Sequence, residues 1–381
     1  MLVSQYNRFM RTNYADGIPI SIRCIHKLKG AIFLNMMDKF GLNSEQTLLL
    51  FSLQRYLIVN DINDEKNGDT AEKKKHWLEL WEQGIHDLLS KSIGESKLFE
   101  DKAALTEKCL EVSKDVGELR TPLYLIILEL SLFTPYFPLM EQDSDDKKEI
   151  KQTKFNFIDR KKMDFKKQEK HIRFFSNLLN IDEDFVTKYQ KSFKKSIRTL
   201  SGVQKKFAVG AGLGAFLMII TAGLATPYIG ALAAPAGLFG AAATNAGLAA
   251  IGGGAVAAGG LGIAGGITIV VGGGSIFGAL SGGTLASVLG KSSDYALREG
   301  AKLEVMMKEI ILTSQKDMRF AQEMIKAQKQ VIGEMGEKLT ELELKEGDNM
   351  ERIKQLTKSI LYLEKSLKHS QAAYVSHNKA I

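Results

Sequence analysis

Ionisable side chains are missing altogether from one long part of this chain. Residues 207–290, 84 in all, include no Asp, Glu, Lys, Arg or His. That run far exceeds the roughly 20 apolar residues needed to cross a bilayer. Cysteine is almost absent as well. Cys24 and Cys109 stand in no metal or redox spacing, which excludes a disulfide framework and suits a reducing cytosol. Among the six histidines the closest pairs are His369/His377 and His76/His86, eight and ten residues apart. Neither makes the i,i+4 pair that holds a metal on a helix. No nucleophile motif or carboxylate pair stands out, so the chain is expected to be non-enzymatic and to need no cofactor or metal. Residues 1–14 lack the apolar core and small-residue cleavage site of a secretory signal.

What fills the uncharged run is glycine: 23 of the protein's 35 glycines lie in it. Its flanks are polar, and the mean hydropathy of the whole chain is −0.08. The net charge is +7, unevenly spread: residues 147–206 carry 18 Lys/Arg against 7 Asp/Glu. A concentration of this kind attracts phosphates, whether of nucleic acid or of lipid headgroups.

Helical periodicity dominates the rest. After Pro19, residues 20–40 carry apolar side chains at helix spacing until Gly41. Asn43 or Ser44 caps a second helix running to Leu57, and Trp77, Leu80, Trp81, Ile85, Leu88 and Leu89 line one face of a third. Residues 123–133 are strongly apolar but too short to cross a bilayer. An acidic linker follows at 141–146. Near the C-terminus, Ile332, Met335, Leu339 and Leu342, then Ile353, Leu356, Ile360, Leu363 and Leu367, step by three and four around a turn at 346–349. Such seams pack two helices of one chain together or join separate chains. The expected fold class is all-α: a helical N-terminal domain, one or two Gly/Ala-rich hydrophobic helical hairpins, and a C-terminal coiled helical hairpin. The corresponding boundaries are a regulatory domain at 1–140, a basic helical segment at 147–206, a membrane-inserting region at 207–290 and an oligomerisation hairpin at 292–381.

Within the uncharged run, 207–226 and 261–280 are richest in Leu, Ile, Phe and Val, and the Gly/Ala centre is weaker. Glycines four apart let helix backbones approach closely. The membrane and pore residues expected on this basis are Gly210, Gly214, Thr221, Gly262, Gly266, Thr268, Gly274 and Gly278. Lys205, Lys206 and Lys291 at its two ends favour an even number of crossings, two or four, with both ends cytoplasmic. The competing reading is a glycine-rich core buried among helices, with no membrane. Two nucleotide motifs fail. The GxGxxG match at 260–265 has no acidic residue about 20 positions on, and Gly290-Lys291-Ser292 has Leu285 where a P-loop needs its first glycine.

The basic segment interleaves Lys and Arg with Phe155, Phe157, Phe165, Phe174, Phe175 and Tyr189. Cations neutralise phosphates, and aromatic rings stack on single-stranded bases. The residues expected to bind nucleic acid or another anionic ligand are Lys161, Lys162, Lys166, Lys167, Arg173, Lys194, Lys195 and Arg198. A solvated face with its aromatics turned inward, and attraction to an anionic membrane surface, remain open beside that reading.

Two resemblances bear on this. Residues 155–160 and 169–186 are similar to the terminal helices of tellurite-resistance TerB-like domains, but Arg160, Lys161 and Lys162 follow Asp159 where that family's acidic metal-binding positions are expected, so no ligand carries over. Residues 252–266, GGGAVAAGGLGIAGG, together with the helical N-terminus and coiled C-terminus, resemble the membrane effector of the Hailong-type antiphage system. That resemblance implies a homo-oligomeric channel, contacts with membrane lipid, and closure by a single-stranded DNA oligomer made by a partner nucleotidyltransferase. The function expected is a regulated pore- or channel-forming effector of bacterial antiphage defence. It would sit in the inner membrane with most of the chain cytoplasmic, or in a soluble resting state. The alternative is a non-enzymatic scaffold or nucleic-acid-binding protein with a buried glycine-rich core.

Overall fold

A computed structural model of the chain describes residues 42–92, 97–116, 120–133, 135–136, 139–142, 150–153, 165–202, 293–344 and 350–380. Helices α1 (Ser44–Asn63), α2 (Gly68–Ser92), α3 (Lys102–Asp115) and α4 (Thr121–Ser131) come first. A two-stranded antiparallel ribbon follows, β1 (Leu139–Gln142) pairing with β2 (Ile150–Thr153), Leu139 opposite Thr153. Then come α5 (Phe165–Leu178) and α6 (Asp184–Ser201). After the uncharged run lie α7 (Ser293–Val305), a π-helical stretch Met306–Gln315, α8 (Met318–Leu344) and α9 (Met350–Ala380).

Local chemistry sets several boundaries. Asn43 caps α1 by a reciprocal pair of bonds: its side chain accepts from the Gln46 amide, and the Gln46 side chain accepts from the Asn43 amide, both at 2.9 Å. Asp101 caps α3 with a single bond, accepting from the Ala104 amide at 2.7 Å. Gly202, at φ 71°, ends α6 in the left-handed conformation that glycine adopts without a Cβ clash.

Alternating faces of these helices make the core. In α2, Trp77, Trp81, Ile85 and Leu89 point inward, with the Trp77 and Trp81 rings stacked at 6.3 Å and Phe51 edge-on to Trp81. Helix α4 is buried almost all round, which explains its continuous apolar run. One hydrophobic cluster joins α1 to α6 with Met306, Ile310, Met324, Val331, Leu356 and Leu363 of the C-terminal helices. Regions far apart in sequence therefore share a single core.

Tyr136 takes a left-handed backbone, φ 63°, which is costly for a bulky residue. Its ring lies edge-on to Trp77, and its hydroxyl donates to Asp61 at 2.6 Å. Asp61 also accepts from the buried Lys74 at 2.7 Å, and Glu65 lies 3.0 Å from the same ammonium. These partners hold Tyr136 where its own backbone preference would not.

Helices α6 and α7 are antiparallel neighbours. Ser192 donates to Glu309 at 2.6 Å, Ser196 to Glu304 at 2.7 Å, and Leu200 packs against Gly300. The chain thus leaves α6 and re-enters α7 at one end of this pair. Helix α9 runs alongside α7: Gln355 accepts from the Ser293 amide at 3.1 Å, Ser366 donates to the Gly300 carbonyl at 2.7 Å, and His369 lies 2.6 Å from Glu304.

These findings correct the expectation of a membrane effector. Among the described residues no helix is long and apolar enough to cross a membrane. The described helices instead bury their apolar faces against one another, as a packed bundle does. The pore- or channel-forming function, the inner-membrane placement and the fold class built on membrane hairpins are overturned on that ground. Residues 207–290, with Gly210, Gly214, Thr221, Gly262, Gly266, Thr268, Gly274 and Gly278, lie outside the described residues, as do residues 20–40. The C-terminal coiled hairpin is corrected too. Helices α8 and α9 do pack together, but α9 packs also on α6 and α7, and Met335, Leu356 and Leu363 belong to the shared core. The three-four spacing serves a bundle with several partners, not a separate coiled coil.

Candidate nucleic-acid interface

Helix α6 gathers exposed cations on one face. Its inner face, Val186, Tyr189, Ser196, Ile197 and Leu200, is buried. Helical geometry then forces the positions between them outward. Lys191, Lys194, Lys195 and Arg198, spaced i, i+3, i+4 and i+7, share the outer face and are all exposed. With Thr199 they line a shallow depression of about 290 Å3. Asp184 stands in the first turn of α6 and Arg198 in the last, the order that a helix dipole favours.

The expected phosphate-binding residues divide into two groups. Lys194, Lys195 and Arg198 come together on α6, and no carboxylate among the described residues pairs with them. The α5 residues are differently placed. Arg173 donates to Glu169 at 2.7 Å, to the Thr187 hydroxyl, and to the Glu183 carbonyl at 3.1 Å, and lies 3.7 Å from Asp184. The hydrogen bond with Glu169 raises the Arg173 pKa and lowers that of Glu169. Arg173 is a clamp between α5 and α6 and is not arranged to receive a phosphate. Lys167 pairs with Asp64 at 2.9 Å, and Lys166 is exposed at the start of α5. Lys161 and Lys162 lie outside the described residues.

Of the aromatics named with the basic segment, Phe175 and Tyr189 turn inward and Phe174 is exposed. Tyr189 and Phe175 are fully buried, and burial pushes the Tyr189 hydroxyl well above its ordinary pKa. Phe174 is exposed, but the Lys102 ammonium sits 4.2 Å above its ring. Phe155 and Phe157 lie outside the described residues. The residue that sequence reasoning missed is Lys191. Its i, i+3, i+4 spacing to Lys194 and Lys195 was the available signal.

Elsewhere among the described residues, Glu45, Glu111 and Asp115 form an exposed acidic cluster. Lys108 already occupies it, 3.2 Å from Glu45 and 3.0 Å from Glu111. Further buried polar contacts are the pair Lys302 and Glu129 at 2.6 Å, and the Glu304 carboxylate, which accepts from Ser196 and lies 2.6 Å from His369 Nδ1. Both join helices to one another.

In comparison with known proteins, no family model, no curated protein and no solved structure matches this chain.

Proposed function

We propose that this chain is a non-enzymatic helical scaffold that binds nucleic acid through its phosphates along α6. The observation that carries the reading is the clustering of Lys194, Lys195 and Arg198 on one exposed face beside Lys191, with no carboxylate among the described residues in an ion pair with them. Four cations along about two turns match a run of phosphates better than a single small anion, because each neutralised phosphate releases a counterion. Buried Tyr189 and Phe175 leave this face without stacking platforms, so binding follows the backbone and is indifferent to base sequence.

Fluorescence anisotropy tests this. Labelled single-stranded and duplex oligonucleotides of several sequences are titrated with the purified full chain and with a Lys194→Gln/Lys195→Gln/Arg198→Gln variant. The reading requires salt-sensitive binding by the parent, little preference among sequences, and clear weakening in the variant. Equal binding by both proteins sinks it, as does binding to anionic vesicles with none to oligonucleotides.

A further inference from the structure

The carbonyl end of a helix carries roughly half a negative charge. Left alone, the C-terminus of α6 would repel a phosphate at the place where Arg198 stands ready to hold one. Its last carbonyls, however, are occupied. The Arg198 carbonyl accepts from the Gly202 amide at 3.2 Å and from the Ser201 hydroxyl at 3.3 Å. The Leu200 carbonyl accepts from Lys365 Nζ at 3.0 Å, across 165 residues of sequence. That ammonium also lies 4.0 Å from where a Cβ on Gly202 would stand.

Lys365 comes from α9, the helix that also takes the Ser293 amide at the start of α7 through Gln355. It is half-exposed, and no carboxylate among the described residues forms an ion pair with it. An ammonium has three donors. One is used by Leu200, which leaves two donors beside the last turn of α6.

We propose that Lys365 belongs to the phosphate-binding face of α6. It cancels the helix's terminal negative charge and gives a phosphodiester backbone a contact on a second helix. The inference rests on the reading of α6 as a nucleic-acid interface. The face then runs from Lys191 through Lys194, Lys195 and Arg198 to Lys365 at the C-terminus of α6.

The test uses the full chain and a fluorescein-labelled oligothymidylate, read by anisotropy at low salt, with thermal melting alongside. Lys365→Gln keeps a donor for the Leu200 carbonyl but loses the charge, and is expected to weaken binding by roughly two- to fivefold, the size of a charge effect at a helix terminus. Lys365→Arg should bind like the parent, and Lys365→Glu more weakly than Lys365→Gln. Unchanged binding in Lys365→Gln, while the triple α6 variant has lost binding, removes Lys365 from the site and leaves α6 in place. Unchanged binding in the triple variant as well defeats the α6 reading and this inference together. Equal weakening in Lys365→Gln and Lys365→Arg, with lowered melting in both, makes Lys365 a cap only and overturns the proposal.

Discussion

The Lys302 ammonium lies 2.6 Å from the Glu129 carboxylate, with both side chains buried and 173 residues of sequence between them. Glu299 is 3.5 Å from the same nitrogen. Removing the cation leaves carboxylates in the bundle interior without their counter-charge. Lys302→Met is therefore expected to lose about 3–5 kcal/mol of stability. Adding Glu129→Gln to it should return part of that loss. Urea denaturation of the parent, single and double variants measures both steps, and additive losses would contradict the coupling.

Gly300 lies where α7 packs against α6 and α9. A Cβ there would stand 3.4 Å from Leu200 Cδ1 and 3.4 Å from Ser366 Cβ. Gly300→Ala gains helix propensity, about 1 kcal/mol, against this tight contact, so its net effect on stability should be small. Gly300→Leu must push α6 or α9 aside and is expected to cost about 1–3 kcal/mol. Thermal melting of the two variants distinguishes them. Equal melting points would mean that this contact is loose.

Burial pushes the Cys109 thiol up from 9.0 to about 12. The folded protein then keeps this proton at pH values where the unfolded chain gives it up. Unfolding therefore releases a proton above pH 9, and stability falls as pH rises between about 9 and 12, by up to about 1.4 kcal/mol per unit from this group. In a Cys24→Ser background, Cys109 should resist thiol reagents at pH 8 until the protein is unfolded. Rapid labelling of the native protein would show that the α3 face is open.

Salt dependence reports how many phosphates α6 neutralises. For a single strand, each contact contributes about 0.7 to the slope of log K against log salt. Replacing Lys194, Lys195 and Arg198 together should reduce that slope by up to about 2. Arg173→Gln should leave the slope unchanged and lower stability instead, because its guanidinium is spent on Glu169 and Thr187. A fall in slope for Arg173→Gln with the triple variant unaffected would relocate the interface to α5.

Much of the helical framework was legible in the sequence. Asn43 is one of the two cap candidates for α1, and Trp77, Trp81, Ile85 and Leu89 repeat on the face that is buried. The seams at Met335, Leu356 and Leu363 also signal burial, but not against what. A three-four repeat is satisfied equally by one partner helix or by several, and α9 has several. The uncharged run predicts membrane spans, whereas the described helices bury their apolar faces against each other and none is long and apolar enough to cross a membrane. The candidate site was half legible. Basic residues at 166–198 are visible as a cluster, but Arg173 and Lys194 look alike until their neighbours are known.

The sequence by itself determined where helices start, which faces are apolar, and that positive charge gathers before the glycine-rich run, because these depend on residues within a turn or two of each other. Only the tertiary structure decided which charges are consumed and which are offered. Arg173 faces Glu169 and Thr187, Lys167 faces Asp64, Lys302 faces Glu129, and Lys365 reaches Leu200. Most of those partners lie on other helices, up to 173 residues away. The strength of a charge interaction is set by distance and burial in space, and spacing along the chain carries no record of either.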